Sequence, residues 1–167
     1  RLMRFWVNSR NTNADAGGEM HAKDHVMVIG AGAAGQALIK EIINSKKLNT
    51  QVVCIIDDNP TKHGRVLEGI TIVGDRYSIP EMAKKYKVDR VLSLQNIELP
   101  HTNVPQTVYE HNALPFSEYK FKPWEAFRPW YSQQILGRMM KKSIRRAEKV
   151  LVQTNWMKEE IVRQCKI

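Results

Sequence analysis

The chain is poor in the residues that most small-protein chemistry is built from. Its 167 residues include 2 cysteines, Cys54 and Cys165, far apart in sequence, which excludes a disulfide scaffold. The five histidines (His21, His25, His63, His101 and His111) are scattered, and no C-x-x-C or H-E-x-x-H is present, so no metal site is expected. No stretch approaches the roughly 20 apolar residues that cross a bilayer, and the opening RLMRFWVNSR lacks the apolar core of a signal peptide. There is no G-x-S-x-G nucleophile turn and no Walker turn. Zinc-finger spacing, an RNP-type aromatic strand and a basic zipper are also missing, so no element is available to read nucleic acid. Few cysteines and no leader point to a reducing, cytoplasmic setting. The start at Arg1 and the end at Ile167, just after a helical pattern, point to a piece of a longer chain.

What is present is an ordinary globular composition with a basic balance. Hydrophobic residues make up 43% and charged residues 26%, enough of both for a folded core and a solvated surface. The 26 Lys and Arg exceed the 17 Asp and Glu to leave a net charge of +9. Nine of the basic residues fall between Lys120 and Lys149. Two readings of that cluster remain open: a solvated helix face, or docking to an anionic membrane surface or phosphorylated substrate.

Apolar periodicity organises the rest. Residues 1–24 run from an amphipathic scrap into a polar stretch with a Gly-Gly pair, and read as a linker. Val26–Ile29 is a short apolar run ended by glycine, as expected of a buried parallel strand. Ala37, Leu38, Ile42 and Ile43 then recur at helical spacing, and Val52–Ile56 is a second buried strand ended by Asp57 and Asp58. A strand at Ile70–Val73, a helix over Ile79–Tyr86 and a strand at Val91–Leu94 follow. Alternating strands and helices imply a parallel sheet with right-handed crossovers. Beyond Leu94 the pattern predicts a short strand at Thr107–Tyr109, a proline-punctuated loop over His111–Trp130, a helix from Tyr131 to about Glu148 and a strand at Val150–Val152. Thr154 or Asn155 is suited to cap a last helix, with Glu159 and Glu160 near its positive end.

The sharpest motif is Gly30-Ala31-Gly32-Ala33-Ala34-Gly35, a G-x-G-x-x-G between a strand and a helix. The first glycine permits the tight turn, the second lets a phosphate approach the backbone, and the third lets helix and strand pack closely. The helix start supplies N–H donors and partial positive charge for a pyrophosphate. Asp57, at the tip of the next strand, can accept hydrogen bonds from an adenosine ribose, with Asp58 beside it. An acid there favours NAD over NADP. The alternatives are a turn kept for packing alone, or one that takes a different nucleotide.

The runs HVMVIGAGAAGQALIKEI, VVCIIDDNPTKHGRVLEGITIVGD and IPEMAKKYKVDRV (residues 25–91) resemble the nucleotide-binding domain that precedes the catalytic domain in bacterial polysaccharide-biosynthesis nucleotide-sugar dehydratases and epimerases. The same domain occurs in sugar-phosphate transferases that initiate polysaccharide assembly. The resemblance covers about residues 24–92. It implies a Rossmann-like fold, NAD or a nucleotide-sugar as ligand, and a place at the inner face of the cell membrane in a full-length parent. The dehydratase chemistry itself needs Tyr-x-x-x-Lys or a Met-Lys substitute. None of Tyr77, Tyr86, Tyr109, Tyr119 or Tyr131 has lysine four residues later.

From about Leu92 the chain is instead similar to the N-terminal, acceptor-side domain of family-4 glycosyltransferases. The residues that carry this are His111, Pro115 and Phe116, the basic helix, and the run VQTNWMK at Val152–Lys158. It implies that His111 and Asn112 line an acceptor cleft, and that Trp124, Trp130 and the basic helix near residues 135–149 lie at the membrane. The donor domain such an enzyme needs is not part of this sequence.

Together these readings predict an α/β protein with a Rossmann-like parallel sheet flanked by helices, in three stretches. Residues 1–24 are a linker or membrane-proximal segment, 25–94 a nucleotide-binding region, and 95–167 a glycosyltransferase-like α/β segment. The expected function is a nucleotide-binding module of cell-envelope polysaccharide synthesis, with a truncated glycosyltransferase acceptor-side domain as the alternative. Cofactor-binding candidates are Gly30, Ala31, Gly32, Ala33, Ala34, Gly35, Asp57 and Asp58. His111 is the sole catalytic candidate.

Overall fold

The computed structural model describes residues 5–7 (backbone only), 23–45, 48–99 and 102–167. In chain order its strands are β1 (Phe5–Val7), β2 (Asp24–Ile29), β3 (Thr50–Ile56), β4 (Val66–Leu67), β5 (Ile70–Gly74), β6 (Arg90–Ser93), β7 (Gln106–Glu110) and β8 (Lys149–Val152). The α-helices are α1 (Ala33–Asn44), α2 (Ile79–Lys85), α3 (Phe127–Tyr131), α4 (Gly137–Arg146) and α5 (Asn155–Cys165). The chain forms two compact units. One is Thr12–Leu94 with Leu99–Gln106, and the other is Arg1–Asn11 with Gln95–Glu98 and Thr107–Ile167.

The first unit is a Rossmann-like α/β layer. β2 pairs in parallel with both β3 and β6, and β3 pairs in parallel with β5, so the strands lie in the order β6-β2-β3-β5. Met27, Ile29, Cys54, Ile56 and Val91 share one core with Ile79 of α2. The helix α1 follows β2 and buries Gly35, Leu38, Ile39 and Ile42 at the spacing of one helical face. Strands covered by helices explain why VMVI and CII are continuous apolar runs rather than alternating ones. Because α1 leads from β2 to β3 while α2 leads to β6, the turn after β2 sits where the strand order reverses. Crevices at such points are where open α/β sheets bind ligands.

Two details of this unit differ from the sequence reading. The Ile70–Val73 run is one arm of a hairpin, since β4 pairs antiparallel with β5. Glu68 and Gly69 both have positive φ, at 50° and 83°, the conformation a two-residue type I′ turn requires. The strand expected at Val91–Leu94 is β6, Arg90–Ser93.

In the second unit β8 pairs in parallel with β7 and antiparallel with β1. Phe5–Val7 is thus a strand within the stretch read as a linker; the remainder of 1–22 lies outside the described residues. Phe116, Met140, Ile144, Val150, Val152, Met157 and Ile161 pack together with Val108 in a core between these strands and the helices α4 and α5. Thr154 caps α5, its hydroxyl accepting the Met157 N–H at 3.2 Å. The His111–Trp130 segment is not all loop: Leu114–Phe116 forms a single 3-10 turn, and the helix begins at Phe127, four residues earlier than expected. Pro129 falls in its first turn, where a missing N–H costs nothing. Between α3 and α4, Ser132–Leu136 forms a π-turn, and Gly137 follows it. A Cβ at Gly137 would lie 2.9 Å from Cβ of Pro115, so close packing of the 3-10 turn requires glycine there.

Candidate functional site

The glycine turn sits at the carboxyl end of β2. Gly30 adopts φ 110°, a conformation open to glycine and costly for other residues, and its N–H donates to the Ile56 carbonyl at 2.8 Å. Gly32 is the N-cap of α1 in extended conformation, with no side chain capping the helix start. A Cβ placed on Gly32 would meet nothing within 4 Å, whereas one on Gly35 would lie 2.1 Å from the Gly30 carbonyl oxygen. The two glycines therefore do different things: Gly35 allows the helix to pack on the turn, and Gly32 keeps open the space above the helix start. Ala33 and Ala34 are exposed beside it and begin α1. The helix start is thus presented with free N–H groups and partial positive charge toward that space.

Asp57 is brought to the turn from the tip of β3. Its Oδ2 accepts the Ala31 N–H at 2.7 Å and Lys62 Nζ at 3.0 Å, and its Oδ1 accepts the Asn59 N–H at 3.0 Å. The Lys62 ammonium also donates to the Ala31 carbonyl at 3.3 Å. Burial pushes the Asp57 carboxyl up, but donors from Ala31, Lys62 and Asn59 outweigh it and hold the group below the ordinary carboxylate range. Asp58, next in sequence, points elsewhere. Arg76 grips it with a bidentate guanidinium, its Nε 3.0 Å from Oδ2, and this pair is solvent-exposed. That hydrogen-bonded ion pair lowers the Asp58 pKa. So the structure brings Gly30, Ala31, Gly32, Gly35 and Asp57 together, with Ala33 and Ala34 at the helix start, and gives Asp58 a different partner.

Sequence reasoning missed Lys62. Its signal was available, five residues after Asp57 in a turn capped by Asn59, because the cap folds the chain back toward the strand tip. The hairpin also reaches the helix: Gln36 Nε2 donates to Glu68 Oε1 at 2.9 Å.

In the second unit, His111 is exposed just beyond β7. Asn96 holds that corner, its Oδ1 accepting the N–H of His111 at 2.8 Å and of Asn112 at 3.2 Å, while its amide lies 3.3 Å from His111 Nε2. Asn112 Nδ2 in turn donates to the Ser132 hydroxyl at 3.3 Å. This is a hydrogen-bonded loop in which the His111 ring faces solvent. Beside it in sequence, Glu110 is fully buried, and neither carboxylate oxygen has a hydrogen-bond partner. Burial alone pushes its pKa up to about 9. The signal for Glu110 was its place two residues after Val108, on the face of β7 that enters the core. Burial likewise pushes the Cys54 thiol up to about 12, which makes it a packing residue rather than a nucleophile. Among the described residues, no group of three His, Cys, Asp or Glu is placed to hold a metal ion, and no helix is long and apolar enough to cross a membrane.

Comparison with known proteins bears on the first half of the chain. A family profile described as a CoA-binding domain matches residues 3–98. The capsular polysaccharide biosynthesis protein CapD of Staphylococcus aureus is 30% identical over 89 residues, which are 53% of this chain and 14% of that protein. The probable polysaccharide biosynthesis protein EpsC of Bacillus subtilis is 26% identical over 86 residues, 52% of this chain and 14% of that protein. The chain therefore spans about a seventh of the length of these curated relatives. A UDP-D-quinovosamine 4-dehydrogenase from Vibrio fischeri superposes with a TM-score of 0.40 at 32% identity, over 44% of this chain and 57% of that one.

Proposed function

The chain belongs to the family described as a CoA-binding domain, and on that premise we propose that its first unit is a nucleotide-binding module of bacterial cell-envelope polysaccharide synthesis. NAD is the ligand we favour, with a nucleotide-sugar as the alternative. One observation carries the reading: above the start of α1 the space over Gly32 is open, while Asp57 is fixed at its edge by the Ala31 N–H. A pyrophosphate placed there meets free helix N–H groups, and the adjoining ribose meets a carboxylate. Gly30, Ala31, Gly32, Ala33, Ala34 and Gly35 would cradle the phosphates and Asp57 the ribose. Asp58, held by Arg76, would lie outside the first contacts. Without a positioned base the module would bind rather than transform its ligand. Calorimetric titration with NAD and with UDP-sugars is the test, and absence of heat at millimolar ligand overturns the reading.

A second reading concerns the other unit and rests on its surface. Phe127, Tyr131, Ile135 and Met139 are all exposed and recur every four residues along one face. Lys142 and Arg146, also exposed, continue the same line. Trp124 stands exposed nearby with the Lys122 ammonium 5.5 Å from its ring. An apolar stripe that runs into basic residues suits the interface of an anionic membrane. On this reading the unit is an acceptor-side glycosyltransferase-like segment at the inner membrane face, with His111 at its cleft. Sedimentation with vesicles containing anionic lipid is expected to carry the protein down, and Phe127→Ser with Ile135→Ser is expected to leave it in the supernatant. Equal pelleting with neutral vesicles would contradict the electrostatic part.

A further inference from the structure

The nucleotide site, as the structure has it, is already occupied by one of its own side chains. Asp57 takes three donors, from Ala31, Asn59 and Lys62, so an incoming ribose hydroxyl meets a carboxylate whose acceptor positions are largely filled. Two of those donors are backbone N–H groups placed by the turns themselves. The third is the end of a flexible four-carbon arm on the surface 3-10 turn Pro60–Lys62. An ammonium has three N–H donors, and Lys62 uses two of them, on Asp57 and on the Ala31 carbonyl. Its side chain keeps 31% exposure. The neighbouring basic groups are held in place: His63 Nε2 lies 2.8 Å from the Asp57 carbonyl and Arg76 grips Asp58.

Resting on the nucleotide-binding reading above, we propose that Lys62 is both the internal occupant of this site and its phosphate ligand. A nucleotide ribose takes the place of the ammonium on Asp57, and Lys62 swings to a phosphoryl oxygen beside the glycine turn. The exchange moves the cation from the carboxylate to the phosphate while leaving both hydrogen-bonded. Asp57 trades an ammonium for hydroxyl donors, and the phosphate gains a cation that the helix start does not supply. The ammonium already sits within hydrogen-bond distance of the Ala31 carbonyl, so a short movement of the arm suffices. The phosphate it reaches is either the pyrophosphate shared by adenine dinucleotides or a phosphomonoester on the ribose, as in CoA.

The test compares the full chain with its Lys62→Met and Lys62→Arg variants by calorimetry with ADP and UDP, and by ligand-observed NMR with adenosine. Lys62→Met is expected to weaken ADP and UDP by about tenfold or more, the worth of one charge-assisted hydrogen bond. The same variant should leave adenosine unchanged or bound more tightly, because the competitor for Asp57 is gone. Lys62→Arg should keep most of the ADP affinity. Equal loss for ADP and adenosine means that Lys62 only shapes the turn and overturns the proposal, as does an unchanged ADP affinity. Should wild type bind none of these probes, the nucleotide-binding reading itself fails, a result distinct from either. CoA and dephospho-CoA then locate the phosphate: a larger loss for CoA in Lys62→Met assigns the ribose monoester, and equal losses assign the pyrophosphate. If Lys62→Met melts early, Lys62→Gln serves as the charge-removing variant.

Discussion

Ala31 donates its backbone N–H to the Asp57 carboxylate at 2.7 Å across 26 residues of sequence. The bond ties the glycine turn after β2 to the tip of β3, so the acid that a ribose would need is first of all a fastening of the turn. This makes the candidate site a folded object before any ligand arrives, and it gives Asp57 a stability role that can be measured apart from binding.

Replacing Asp57 by Asn should cost about 1–3 kcal/mol at pH 7, because it leaves the Lys62 ammonium without its charged partner and weakens two backbone hydrogen bonds. The folded pKa of Asp57 is depressed. Its contribution is therefore present above the unfolded value near 4 and is lost as pH falls through the folded value. Urea denaturation of both proteins at pH 7 and pH 3 should show curves that are apart at pH 7 and closer together at pH 3.

The two inner glycines should separate folding from binding. At Gly35 a Cβ would lie 2.1 Å from a backbone oxygen, an overlap that backbone must move to relieve. Gly35→Ala is expected to destabilise by about 2 kcal/mol or more. At Gly32 nothing lies within 4 Å and the backbone is extended. Gly32→Ala should melt within about 2 °C of wild type, a stability change of a few tenths of a kcal/mol, and lose nucleotide affinity, because its methyl fills the space a phosphate would take. Thermal melts and calorimetry on the pair check both.

Glu110 should make the protein more stable in acid than in base. Its folded pKa is raised to about 9, above an unfolded value near 4.3. Its favourable contribution is full below the unfolded value and is lost as pH rises through 9. Between the two, stability should fall by about 1.4 kcal/mol per pH unit on account of this group. Glu110→Gln removes that slope and should be the more stable protein at pH 8. Denaturation midpoints between pH 5 and pH 9 decide it, and parallel pH profiles for the two proteins would sink the assignment.

Asp58 offers the contrast. Its partner Arg76 and its own side chain are 58% and 44% exposed, and solvent screens such pairs. Asp58→Ala should change stability by less than about 1 kcal/mol and leave nucleotide affinity near wild type, as calorimetry on the variant would show.

The β2-α1-β3 core and the glycine turn were legible because they depend on local pattern: a buried parallel strand reads as an apolar run, and a glycine turn has its residues in a row. What was not legible depends on contacts between distant residues or on phase. That Asp57 is already spoken for could not be read from IDDNP alone, because Ala31 approaches it only after β2 and β3 pair, although the turn capped by Asn59 brings Lys62 back locally. The early helix start at Phe127 was hidden by Pro129, which reads as a breaker unless it is known to lie in a first turn. Glu110 lies just past the strand expected at Thr107–Tyr109, and its sharing a face with Val108 does not by itself say that both faces of β7 are covered.

The π-turn at Ser132–Leu136 acts as a phase correction. In a regular α-helix, residues four apart advance by about 40° around the axis, so Phe127, Tyr131, Ile135 and Met139 would wind about 120° over three steps. A π-turn absorbs one additional residue, about 100° of rotation, and cancels most of that winding. The four side chains thereby form a nearly straight ridge instead of a spiral. Drawing all of these residues into regular α-helix would leave the composition of this surface intact and wind its ridge around the axis, whereas deleting Gln133 would space the four at four, three and four and keep the ridge straight, so its flatness belongs to the turn rather than to the residues that form it.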